Sequence, residues 1–440
     1  MSLQFIFGNS GSGKSHYLYQ QIVEESIRHP EKNYLVLVPE QFTMQTQKDL
    51  CMAHPRGGIM NIDVLSFGRL AHRVFEETGK ERQPILDDEG KNLVLRKIAG
   101  NYEDELTVLK GNLKKQGYIS EVKSVISEFT QYGIDFEQLD SFMEGLNPES
   151  YLYYKLKDIR KVYEGFEDYL RDKYITKEEL LDVLSQTVPE AKMLKDSVIA
   201  MDGFTGFTPI QNKLLRELMQ TAEKIYVTVT LDAWEDPMKK VSMHKLSYLS
   251  KKTIQQLAGA AKECGCMLEK PEVLGKEGSI RFRSAPALRF LERHLFRPGN
   301  QIYEAQDSQK LERELSLHVA RDAKAEAEFA ARTIWHLVRE ENLRYRDIAV
   351  ITGDMESFGD HMKKELQQKG IPCFIDRTRK LLLNPLVEFL RAALQIATKS
   401  FRYESVFRYL RTGLAGLKRD EIDRLENYVL ANGINSRRRW

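Results

Sequence analysis

Gly8-Asn9-Ser10-Gly11-Ser12-Gly13-Lys14-Ser15 lies close to the start of the chain. The run satisfies G-x-x-x-x-G-K-[ST] without a mismatch, the pattern of a loop that cradles phosphates. Its residue types explain the chemistry. Glycines at 8, 11 and 13 permit a sharp bend that turns backbone N–H groups towards phosphate oxygens. Lys14 is expected to reach the β- and γ-phosphates of ATP, and the Ser15 hydroxyl to ligate Mg²⁺. A helix starting directly after the loop adds partial positive charge. All eight residues are therefore candidate nucleotide contacts. A plain Gly/Ser turn before a helix is the competing reading, and the flanking elements weigh against it.

Those elements can be read in order. Residues 3–7 form a short buried strand and 16–28 a helical stretch. Tyr34-Leu35-Val36-Leu37-Val38-Pro39 is a continuous apolar run ended by proline, as in a strand buried on both faces of a parallel sheet. Strand, loop, helix and strand make a βαβ unit. A short segment at 61–65 follows, then a helix with Ser66 as N-cap. From about 87 to 184 the strand signal disappears and apolar residues recur at helical spacing. Tyr151, Tyr153, Tyr154 and Tyr163 fall on that spacing and read as core rather than as a base-stacking platform. The sheet pattern returns at 196–202, with a helix from Pro209 and a strand over 224–231. Residues 271–309 are rich in Arg, Pro and Gly, which suits a boundary. Strands at 314–319, 347–351 and 371–375, with helices at 323–341 and 357–369, read as a second α/β unit. Helices rich in Arg and Tyr run from Pro385 to the final INSRRRW, where no closing element follows, so the chain reads as cut short.

The composition of the 440 residues is that of an ordinary soluble chain, 42% hydrophobic and 30% charged. Its net charge of +2 conceals an asymmetry. Residues 121–190 carry 8 Lys/Arg against 16 Asp/Glu, a net of −8, whereas 377–440 carry 14 against 6, a net of +8. The basic end suits a polyanion and the acidic middle does not, though solvated helix faces have the same composition. No apolar run reaches membrane-spanning length and the start lacks a signal-peptide pattern, so a cytoplasmic protein is expected. Cys51, Cys264, Cys266 and Cys373 form no metal framework and read as free thiols.

In combination, FIFGNSGSGKS, YLVLVPEQFTMQTQ, DVLSFGRLAHRVF, MDGFTGFTPIQ and RDIAVITGD resemble the N-terminal part of the AddB family. AddB proteins are the second subunit of the bacterial AddAB helicase–nuclease, which resects DNA ends for recombination. The resemblance spans essentially the whole chain. It implies a superfamily 1 helicase-like α/β fold: a P-loop RecA-like domain over 1–86 and 185–300, interrupted by a helical insertion at 87–184. The start of a second RecA-like domain at 301–384 and a basic helical region at 385–440 follow. It also implies ATP and Mg²⁺ as cofactors, an AddA-type motor subunit and DNA as partners, and a part in recognising the recombination signal Chi. The family's nuclease domain and its iron–sulfur cluster belong to longer members and lie outside this chain.

Against an active motor of that class, three departures stand out. Such an ATPase needs an Asp that holds Mg²⁺ through water and a following Glu that activates the attacking water. The strand at 196–202 ends Met201-Asp202-Gly203-Phe204, so Asp202 joins Ser15 as a metal candidate while Gly203 offers no base. The coupling motif after the next strand reads Val229-Thr230-Leu231-Asp232-Ala233-Trp234, without its usual Gly-Asp and Gln-Ser. Between Asp347 and Asp376 no arginine is available for the γ-phosphate. A nucleotide site without useful turnover is expected. An active superfamily 1 helicase and a P-loop small-molecule kinase are the alternatives.

Other candidates are weaker. Asp322-Ala323-Lys324 has a nuclease-like D-x-K spacing but reads better as a helix start, and Asp376-Arg377 as a polar turn. His54, His72 and His361 are isolated. Arg402, Arg408 and Arg411, with Arg377, Arg379 and Lys380, could meet DNA phosphates or form plain surface.

Overall fold

The computed structural model describes residues 1–79, 84–112, 115–171, 173–297, 299–375 and 381–440. Residues Met1–Ser316 form one compact unit and Leu317–Trp440 another. Arg377, Arg379, Lys380 and the Asp376-Arg377 turn lie outside the described residues.

In the first unit, β1 (Ser2–Gly8) runs through the glycine-rich loop into α1 (Lys14–Arg28), and β2 (Tyr34–Leu37) is followed by α2 (Thr43–Ala53). β3 (Ile62–Leu65) precedes α3 (Phe67–Thr78), where the Ser66 side chain accepts from the Arg69 N–H and caps the helix. A short pair, β4 (Ile85–Leu86) and β5 (Ile175–Thr176), sits at the root of α4 (Asp88–Asn101), α5 (Gln116–Tyr132), α6 (Phe136–Glu144) and α7 (Tyr151–Leu170). After α8 (Glu179–Thr187) the main sheet resumes with β6 (Val198–Met201), α9 (Pro209–Thr221) and β7 (Lys224–Thr230). α10 (Tyr248–Glu263), β8 (Met267–Leu268), β9 (Glu272–Val273), α11 (Pro286–His294) and α12 (Ser308–Glu314) complete the unit.

The main sheet is parallel, in the order β3-β2-β6-β7-β1-β8, with β9 also on β1. Its apolar runs are explained by burial on both faces. Leu3, Phe5, Leu35, Leu37, Ile199, Met201, Ile225 and Val227 point to the side covered by α3, α8, α9 and α10. Ile6, Tyr34, Val36, Val198, Ala200 and Tyr226 alternate to the other side, under α1 and α2. The helices between 88 and 170 have their own core around Leu95, Ile98, Ile126, Val162 and Phe166. Buried Asp158 accepts from the backbone N–H groups of Thr107, Val108 and Leu109, and buried Lys91 pairs with Glu178 at 2.6 Å.

Two expectations for this unit change. Only Tyr163 of the four tyrosines is core; Tyr151 and Tyr154 are exposed, because the apolar stripe of α7 meets the cluster only from Asp158 onward. The stretch 271–309, expected as a boundary, instead supplies β9 and α11 to the first unit. Composition recorded its turns but not its anchors.

The second unit contains α13 (Ala323–Arg339), α14 (Met355–Gln368), α15 (Pro385–Thr398), α16 (Tyr403–Leu410) and α17 (Arg419–Ala431). α13 and α14 bury Ala327, Ala331, Ile334, Met362 and Leu366 against Ile371. The strands expected at 314–319, 347–351 and 371–375 are not formed among the described residues of this unit. Leu317, Val319 and Ile351 are 94%, 95% and 93% exposed. Apolar runs of this kind become strands only when neighbouring strands take their backbone groups. Asp322 accepts from the Ala325 N–H at 2.8 Å and caps α13, the helix-start reading of D-x-K. No described helix is long and apolar enough to cross a membrane.

Candidate nucleotide site

The glycine-rich loop leaves the sheet where β1 ends, between β7 and the short β8 and β9. Gly11 and Gly13 have φ of 75° and 90°, a left-handed backbone that favours glycine. At Gly8 a Cβ would lie 2.3 Å from Ser12 Oγ, so the bend closes on itself with no room for a side chain. Lys14 opens α1 and folds back, donating to the Gly8 and Asn9 carbonyls at 3.0 and 2.9 Å. Burial lowers its pKa, and the negative charge of Asp202 opposes that shift. Ser15 and Ser10 are exposed, and Ser12 is buried. The candidate contacts therefore share one loop, with the Lys14 ammonium turned back onto its carbonyls.

Asp202 follows β6 and is buried. One of its oxygens accepts from Tyr19 Oη at 2.8 Å and the other from Thr228 Oγ1 at 2.6 Å. Burial and the Asp202 charge raise the Tyr19 pKa, so this phenol remains a donor. The carboxylate is thus fixed from α1 and β7 and keeps lone pairs for a water. That donor set fits a Mg²⁺ ion held loosely by the protein. Among the described residues no group of three or more His, Cys, Asp or Glu is placed to hold a metal, so phosphate oxygens and waters would supply most ligands.

Gly203 has φ of 78°. A Cβ there would find ordinary space, 3.6 Å from Pro39 and 3.8 Å from Phe42. The obstacle to a glutamate base is the backbone, since a non-glycine residue is strained in this conformation.

A polar network that sequence reading missed surrounds the loop. Arg297 donates bidentately to buried Asp232, with its closest contact at 2.7 Å, and also to the Glu292 carbonyl. The Glu292 carboxylate accepts from Asn9 Nδ2. Residues 274–281 run along the loop: Leu274 N–H donates to the Phe7 carbonyl at 2.8 Å, Ser279 Oγ to the Ser10 carbonyl at 3.0 Å, and Arg281 N–H to the Gly11 carbonyl at 3.2 Å. The Arg281 charge reaches Lys14 and lowers its pKa further. Arg293 covers the Trp234 ring at 5.3 Å. The one sequence signal was the unusual Asp232-Ala233-Trp234; nothing local marked its partners.

The candidate DNA arginines are elsewhere, in the second unit. Arg408 pairs with Glu388 at 3.2 Å, and Arg411 pairs with Glu426 and with Asp423. Arg402 is exposed immediately before α16.

Fold and site together define a parallel α/β protein with a glycine-rich loop and a buried carboxylate at the ends of its strands. The family model "ADDB, N-terminal" matches residues 5–292. The B subunit of the ATP-dependent helicase/deoxyribonuclease of Lachnoclostridium phytofermentans is 44% identical over 444 residues, covering 100% of this chain and 38% of that protein. Proteins of the same name from Clostridium tetani and Acetivibrio thermocellus are 36% and 33% identical, covering 100% and 99% of this chain and 38% and 37% of theirs. The chain belongs to the AddB family and spans well under half the length of these relatives.

Proposed function

We propose that this chain is the N-terminal, helicase-like region of the B subunit of an ATP-dependent helicase–deoxyribonuclease. In this reading it binds DNA and an AddA-type motor subunit in the cytoplasm, acts in double-strand break repair by homologous recombination, and contributes to Chi recognition. The first unit is a RecA-like lobe that holds ATP and Mg²⁺ and retains the nucleotide rather than turning it over. Support for the lobe comes from the sheet order, in which β7 lies between the loop strand and the Asp202 strand.

The observation that carries the reading is a contrast within one site. Lys14 donates to the Gly8 and Asn9 carbonyls and Asp202 accepts from Tyr19, whereas the residue after Asp202 is a glycine in left-handed backbone. Gly8 to Ser15 would cradle the phosphates, with Ser15 and Asp202 holding the ion. Mg²⁺ would neutralise charge on the β- and γ-phosphates. A missing base and a missing arginine each remove several kcal/mol of transition-state stabilisation.

Equilibrium binding of labelled ATP with Mg²⁺ tests the site. Lys14→Ala is expected to weaken it about 100-fold, the scale of one charge-assisted hydrogen bond to phosphate. Equal affinity in wild type and variant would mean that the loop does not hold the nucleotide. DNA-stimulated turnover of several per second that depends on Lys14 would make the chain an active motor.

A further inference from the structure

Asn9, the residue after Gly8, is already engaged by a carboxylate. Its side-chain amide donates to both oxygens of Glu292, at 3.1 and 3.0 Å, while its carbonyl accepts from Lys14 at 2.9 Å. The carboxylate and the loop lysine thus meet on one buried residue. Glu292 belongs to α11, and Arg297 ties its carbonyl to Asp232. Further up the same segment, Ser279 and Arg281 lie on the loop backbone. Contact there is tight: a Cβ on Gly11 would stand 2.6 Å from Ser279 Oγ and 2.8 Å from Arg281 Cβ. Burial raises the Glu292 pKa, with Asp232 adding to the rise while Arg297, Asn9 and Lys14 oppose it.

We infer that Glu292 is an internal carboxylate that sets the anion affinity of the loop, and that a triphosphate entering the loop displaces it from Asn9 and loosens residues 274–297. The inference rests on the nucleotide reading above. A polyphosphate on Lys14 and the loop N–H groups would bring negative charge to the edge where Glu292 is held. In a partly buried site two such charges repel appreciably. Retreat of the side chain relieves the repulsion, and the hydrogen bond from Arg297 to the same residue's carbonyl passes the change to α11 and to the end of β7. The 274–297 segment then reports whether the loop is filled.

Glu292→Gln keeps an acceptor for Asn9 and removes the charge. In the full chain, ATP with Mg²⁺ is expected to bind this variant about tenfold more tightly than wild type, the scale of one nearby unit charge. Hydrogen exchange of the 275–285 amides should quicken when ATP binds wild type and change less in Glu292→Gln. In Glu292→Ala, which lacks the tether, those amides should exchange quickly without ligand. Lys14-dependent binding that Glu292→Gln leaves unchanged or weakens overturns this inference alone. Absence of Lys14-dependent binding in both proteins overturns the nucleotide reading and this inference with it.

Discussion

Residues 34–37 and 348–351 are both short apolar runs, Tyr-Leu-Val-Leu and Ile-Ala-Val-Ile, yet the two units treat them differently. The first is paired on both sides, by β3 and β6, and its side chains are fully buried. The second has no ladder among the described residues and leaves Ile351 almost entirely open. The contrast shows how little of a strand resides in its own residues. An apolar, β-branched run records that a segment suits a sheet; neighbouring strands decide whether a sheet is there. Helices depend less on such help. α1 and α13 form in their respective units, since their hydrogen bonds close within four residues.

The largest effect that tests this contrast is a core truncation. Ile199→Ala, at a fully buried position of β6, should cost about 2–5 kcal/mol. Ile351→Ala should stay within about 0.5 kcal/mol, as at an open surface position. Hydrogen exchange resolved by unit, combined with denaturant unfolding, separates the two. Comparable losses would mean that the 348–351 run is buried in solution.

Gly203→Glu comes next. It supplies a carboxylate where the proposed site lacks a base but forces it into the left-handed region, at about 1–3 kcal/mol. The expected variant is less stable and gains no ATP turnover. Lys14-dependent turnover in Gly203→Glu would show that the backbone adapts and that the missing carboxylate alone silenced the site.

Helix caps should erase the difference between the units, because each acts within a single turn. Ser66→Ala at α3 and Asp322→Ala at α13 should each cost about 1 kcal/mol locally. Unit-resolved exchange provides the comparison, and a cost confined to α3 would mean that α13 depends on something other than its cap.

The smallest stability effects belong to the basic surface. Reversing Arg402 should change stability by less than about 1 kcal/mol, as at an exposed surface position. If this surface meets DNA as proposed, the salt dependence of binding gives a larger readout. For every single-strand phosphate left without its cation, the slope of log affinity against log salt should fall by about 0.7. Arg402 should show this most clearly, since Arg408 and Arg411 face Glu388 and Glu426. Reversing Lys155 and Lys157 in the acidic helical region should leave the slope alone. If the arginine reversals also leave it alone in a complex with the proposed motor subunit, the DNA path lies elsewhere.

From the sequence alone came whatever a few consecutive residues control. The Gly8–Ser15 loop, α1 behind it, the Ser66 cap, the helix opening at Pro209 and the Asp202-Gly203 pair at a strand end all stand where local rules put them. Turn chemistry, capping and apolar period act over one to four residues, so they survive in one dimension. Tertiary structure alone decided the rest. It put β7 between β1 and β6, laid residues 274–281 along the loop, brought Arg297 to Asp232 across 65 residues and joined Glu292 to Asn9 across 283. It also left Leu317, Val319 and Ile351 open although their sequence has the character of strands. Such partners are chosen by the path of the chain through space, and a residue's own neighbours carry no record of what will lie against it.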